Sequence, residues 1–75
     1  MKDLVEYIVK SIVSEPDEVK VTEENSDDGI LIKLEVSPED KGRVIGRQGR
    51  VAEAIRTLLR VMAARNGTRV RLEIL

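Results

Sequence analysis

Seventy-five residues contain no Cys, no His and one aromatic, Tyr7, which excludes disulfides, thiolate or imidazole chemistry, and ligand binding by stacking on exposed rings. A chain this short buries only about 60% of its unfolded surface, sufficient for one core and no second domain. The formal charge of −1 conceals an asymmetry: residues 1–40 carry four lysines against twelve acids, a balance of −8, whereas residues 41–75 carry nine basic residues against Glu53 and Glu73, a balance of +7.

That split has two readings, a polyanion site in the second half or two halves that neutralise each other in the fold. Eight of the nine basic residues are Arg, whose guanidinium forks onto phosphate, and this favours the polyanion. No apolar run approaches the ~20 residues of a membrane span, and the N-terminus shows no apolar signal stretch. The expectation is a soluble, cytoplasmic domain.

In chain order, Leu4, Val5, Ile8, Val9, Ile12 and Val13 recur at helical spacing and predict an amphipathic helix over residues 2–14, stopped by Pro16. Val19 and Val21 alternate with Glu18, Lys20 and Thr22 as a short strand. Asn25-Ser26-Asp27-Asp28-Gly29 is turn chemistry, and Ile30, Ile32, Leu34 and Val36 alternate with Leu31, Lys33 and Glu35 as the second arm of an antiparallel hairpin. Ser37-Pro38-Glu39-Asp40 reads as a helix start: Ser37 caps, Pro38 suits the first helical position, and Asp40 is the capping-box acid. This helix is short, since Gly42 and Gly46 lie inside it or at its end. A longer helix runs from about Gly49 to Asn66-Gly67, with Val51, Ile55, Leu58 and Met62 as its core stripe and Leu59 beside them. Arg56 and Arg60 then project opposite that stripe into solvent, with extended contact to a polyanion as their second role. Val70, Leu72 and Ile74 alternate with Arg69, Arg71 and Glu73 as a last strand, whose arginines serve as a phosphate rail or a solvated face.

The order helix, strand, strand, helix, helix, strand predicts an α+β fold: a three-stranded sheet packed on one face by three helices. The expected single domain spans residues 1–75, with an N-terminal helix in 1–15, a hairpin in 17–36, two helices and their loop in 38–67, and a strand in 68–75.

Gly46-Arg47-Gln48-Gly49 lies between the last two helices. A Gly-x-x-Gly alone arises by chance in about one chain in three of this length. Its setting adds meaning, because two glycines allow tight turning and close backbone approach, and the following helix directs its positive end at the loop. Arg47 and Arg50 add charge there, with Lys41 and Arg43 one turn away.

Val44-Ile45-Gly46-Arg47-Gln48-Gly49-Arg50-Val51, followed by Ala52-Glu53-Ala54-Ile55-Arg56, resembles the signature of the KH (K-homology) RNA-binding domain. The element order is similar to the prokaryotic, type II arrangement (α-β-β-α-α-β). Over nearly its whole length the chain resembles the KhpA (YlqC) family of stand-alone bacterial KH proteins. The resemblance implies single-stranded RNA as ligand, with the sugar-phosphate backbone held at Gly46–Gly49 and the bases in an apolar groove between helices and sheet. It places Lys41, Arg43, Ile45, Gly46, Arg47, Gln48, Gly49 and Arg50 at the RNA, Ile45 being foremost a buried core aliphatic and secondarily the groove floor. It also implies pairing, as a homodimer or with a second KH protein of the KhpB (EloR/Jag) type.

Val61, with Ala54, Thr57 and Ala64, forms a patch off the core stripe, either ordinary surface or a self-association face. Catalysis has little to work with, and no EF-hand, dinucleotide or P-loop spacing is present, so no metal or cofactor is expected. The competing reading is a protein–protein scaffold on a KH fold, with RNA binding incidental; the intact Gly-Arg-Gln-Gly loop argues against it.

Overall fold

A computed structural model describes all 75 residues, Met1–Leu75. Helix α1 (Lys2–Ile12) is followed by a single 3-10 turn at Pro16–Glu18 and by the hairpin of β1 (Lys20–Ser26) and β2 (Gly29–Glu35). Helix α2 (Pro38–Ile45), a 3-10 turn at Arg47–Gly49, α3 (Arg50–Arg65) and β3 (Val70–Ile74) complete the chain. The sheet order is β1-β2-β3; β1 runs antiparallel to β2 and β3 parallel to it. A parallel neighbour requires a crossover, and α2 and α3 supply it, bringing the loop between them to one end of the molecule. The α+β class and the three-helix, three-stranded arrangement are as the sequence predicts.

The core draws on every element but β1: Val5 and Val9 from α1, Ile32 and Leu34 from β2, Val44 from α2, Ile55 and Leu59 from α3, and Leu72 from β3. Val19 and Val21 pack at its margin. No helix is long and apolar enough to cross a membrane.

Several expectations are corrected. Helix α1 stops at Ile12 instead of residue 14, because Val13 turns extended and the backbone N–H groups of Ser14 and Glu15 donate to the Asp40 carboxylate, each at 3.0 Å. Asp40 is therefore no capping-box acid. It is 1% exposed and also accepts from Ser14 Oγ at 2.7 Å and Ser37 Oγ at 3.2 Å, tying the end of α1 to the start of α2. Ser37 occupies the N-cap position without capping through its side chain. Strand β1 continues to Ser26, since Glu23, Glu24 and Asn25 pair with Ile32, Leu31 and Ile30, and the turn shrinks to Asp27-Asp28.

The largest correction concerns α3. Its buried stripe is Ala52, Ile55, Leu59 and Ala63, whereas Leu58 is 52% and Met62 37% exposed. The helix is turned by about 75° from the expected stripe, at 3.6 residues per turn. Ala52 and Ala63 take two of the buried positions, and the bulkier Leu58 and Met62 are left outside.

Candidate nucleic-acid interface

The loop is built by closing one helix and starting another within four residues. The Gly46 N–H donates to Gly42 O at 2.8 Å and ends α2. Gly46 then takes φ +78, ψ 172, and Gln48 (φ 57, ψ 24) and Gly49 (φ 74, ψ 14) are both left-handed. The two glycines serve different ends. A Cβ on Gly46 would lie 2.5 Å from Val51 Cγ2 and 2.9 Å from Val51 N, so this glycine lets α2 and α3 meet. A Cβ on Gly49 would meet nothing within 4 Å, so its open side faces solvent.

Within the loop, Gly49 N–H donates to Gly46 O at 3.1 Å and Arg50 N–H to Arg47 O. No side chain caps α3, so its first-turn N–H groups and the positive end of a 16-residue dipole lie at the loop. Arg47, Gln48 and Arg50 are exposed, and Arg50 Nη2 donates to Gln48 Oε1 at 3.4 Å. None of Lys41, Arg47 and Arg50 is engaged in an ion pair. An anion approaching here meets backbone donors and unneutralised cations together.

The flanking residues are distributed unequally. Lys41 lies within about 40° of Ile45 around α2, whereas Arg43 lies about 160° away, where its Nη1 is 3.9 Å from Asp40 Oδ1. Ile45 is half-buried and stands outside the cluster of side chains that forms the core, contrary to its reading as a core aliphatic. Asp40 fixes the base of α2. The backbone N–H of Ser14, then the Ser14 hydroxyl, the Glu15 N–H and the Ser37 hydroxyl hold its carboxyl at about 2, below the usual 3.8, against burial, which acts in the opposite direction.

The structure groups Lys41, Ile45 and residues 46–50 at one end, with Arg43 to the side. Ala54, Thr57, Val61 and Ala64 are all exposed on α3, and Leu58 and Met62 widen the patch they form. Arg56 does not project opposite the core as expected: it is half-buried, and its Nη2 donates to Leu72 O at 3.3 Å. Counting Ala52 and Ala63 as apolar gives an i, i+3, i+7, i+11 stripe with Ile55 and Leu59, and that pattern would have found this orientation.

The family model described as KhpA/KhpB, KH domain matches residues 2–74. The chain belongs to that family. A protein of Clostridium acetobutylicum named RNA-binding protein KhpA is 49% identical over 75 residues, covering 100% of both chains. Proteins of the same name from Clostridium perfringens and Listeria monocytogenes are each 48% identical over 75 residues, covering 100% of this chain and 100% and 99% of theirs. No solved structure matches. In this KH domain Gly46-Arg47-Gln48-Gly49 is set between α2 and α3.

Proposed function

We propose that this KH domain binds single-stranded RNA without catalysis, gripping the sugar-phosphate backbone at Gly46–Gly49. The observation that carries the reading is the loop itself: left-handed backbone at Gln48 and Gly49, an open approach at Gly49, an uncapped helix N-terminus, and Arg47 and Arg50 free of acidic partners. Relatives of equal length that bear the name RNA-binding protein support it. Lys41 extends the positive surface along α2, Ile45 offers an apolar contact beside the loop, and Arg43 stands at the margin.

The domain acts in the cytoplasm as a small RNA chaperone or post-transcriptional regulator, paired with a second copy of itself or with a second KH protein of the KhpB (EloR/Jag) type. The exposed face of Leu58, Val61 and Met62 supports pairing through α3. One small domain makes few phosphate contacts, so linking two sites raises affinity by avidity. A gel-shift with random single-stranded RNA at moderate salt tests the reading. Wild-type protein should retard the RNA, and Arg47→Asp combined with Gln48→Asp should abolish the shift while circular dichroism stays unchanged.

A further inference from the structure

Of the two asparagines, Asn25 and Asn66, only Asn66 is followed by glycine. In that dipeptide the peptide nitrogen most readily attacks the preceding side-chain amide, because glycine puts no Cβ in the way. It stands where α3 ends: Asn66 (φ −97, ψ 7) follows the last helical residue, and Gly67 (φ 69) turns the chain toward β3. Ala64, Arg65, Asn66 and Gly67 are all exposed. No protein group bonds to the Asn66 side-chain amide.

A single bond restrains the nucleophile. Gly67 N–H donates to Ala64 O at 3.1 Å, and Thr68 N–H donates to Ala63 O at 2.9 Å behind it. Bonds in the last turn of an exposed helix end are the first to open. A Cβ on Gly67 would meet nothing within 4 Å, so no neighbour walls the turn in. Asp28-Gly29 is the contrasting case at the same end of the molecule, where it lines one polar basin with Gly67, Thr68 and Arg69. Gly29 is paired with Ser26 in the sheet, and a Cβ there would lie 2.5 Å from Arg69 O, so that turn has no room to rotate.

We propose that Asn66 is a site of spontaneous deamidation. When the Gly67 N–H leaves Ala64 O and ψ of Asn66 rotates away from 7, the deprotonated Gly67 nitrogen attacks Asn66 Cγ. The new C–N bond closes a five-membered succinimide, and the side-chain nitrogen takes up protons and departs as ammonia. Water then opens the ring at either carbonyl. Breaking the bond to Cγ gives aspartate; breaking the main-chain bond gives isoaspartate, whose chain runs through Cγ and is one atom longer. Water enters, ammonia leaves, and nothing is oxidised or reduced. Either product sets a carboxylate at the negative end of α3, where the helix carbonyls disfavour it. Isoaspartate also lengthens the link to β3, whose first anchor on β2 is the 2.8 Å bond from Ile30 N–H to Arg69 O. The Gly46–Gly49 loop lies at the other end of the 16-residue helix, about 24 Å away, and keeps its geometry.

The test is mass spectrometry of the full folded chain during prolonged incubation in neutral and in mildly alkaline buffer. Fragmentation places each change, and an isoaspartyl carboxyl methyltransferase with its methyl donor is the probe for isoaspartate. Wild-type protein should gain one dalton at Asn66, faster at the higher pH, and accept methyl groups in step with that gain. Asn66→Gln, whose extra methylene disfavours ring closure, should lose both signals. Gly67→Ala, which has space for its Cβ but hinders the attack, should slow both several-fold. Thermal melts establish that the variants fold. A folded wild-type chain that stays unmodified while the same chain in urea converts overturns the inference. So does a mass gain confined to Asn25 or Gln48, or one in Asn66→Gln equal to that of wild type. A gain at Asn66 without methyl uptake overturns the isoaspartate branch, and methyl uptake at Asp28 overturns the protection assigned to its turn.

Discussion

Gly46 and Gly49 share a motif but not a reason for being glycine, and substitution separates them. At φ +78, ψ 172 Gly46 sits in a region that only glycine occupies readily, and an added Cβ would collide with Val51. Gly46→Ala should cost about 3 kcal/mol or more, strain and clash together. Gly49 needs only left-handed backbone with open space around it, so Gly49→Ala should cost about 1 kcal/mol. Thermal melts resolve the difference, since 1 kcal/mol moves the midpoint of a domain this size by about 4–8 °C; equal shifts would remove the distinction. Asp40 gives a second prediction. Its carboxyl is held at about 2 in the fold against 3.8 outside it, so the stabilisation is fully present above pH 3.8 and fades as pH falls toward 2. Asp40→Asn should lower stability at neutral pH and flatten its decline between pH 4 and 2 in acid titrations followed by circular dichroism. An acid limb as steep as wild type would show that Asp40 contributes nothing to it. The Gly-x-x-Gly was legible in the sequence because its setting is local, two helical patterns on either side with Arg47 and Arg50 beside it. The role of Asp40 was not: its partners Ser14 and Glu15 lie 26 and 25 positions away, beyond any local pattern.

At the scale of elements, α3 carries three faces. Ala52, Ile55, Leu59 and Ala63 are buried, Arg56 lies against β3 through Leu72 O, and Leu58, Val61 and Met62 remain exposed. Periodicity correctly predicted a long helix here and mistook which side is buried. Bulk was the misleading signal, since Val51, Leu58 and Met62 outrank alanine in hydrophobicity while Ala52 and Ala63 are the residues buried. The same error hid the bond from Arg56 to Leu72 O, because a helix turned by about 75° would carry Arg56 away from β3. The exposed stripe makes its own prediction. Fully burying a Leu or Val side chain contributes ~1.5–3 kcal/mol, so two copies joined through this face gain from each such residue. Sedimentation should show wild-type protein self-associating and Val61→Glu as a folded monomer; a monomeric wild type, or an undiminished dimer of the variant, would count against α3 as the interface.

Over the whole molecule, the charge of −1 resolves into an acidic first half, residues 1–40 at −8, and an arginine-rich second half, residues 41–75 at +7. The fold neutralises only part of this. Glu53 serves both Arg56 and Arg60, and Asp40 lies near Arg43, while Arg47, Arg50, Arg69 and Arg71 form no ion pair. The unneutralised arginines on the loop are what single-stranded RNA would meet first. The most direct measurement is RNA affinity across a salt series for wild type and for the Arg47→Asp, Gln48→Asp protein. Wild-type affinity should fall with a log–log slope of about −0.7 per phosphate contacted, and the loop variant should lose detectable binding with its fold intact. Undiminished affinity in the folded variant would contradict the loop as the site of the grip.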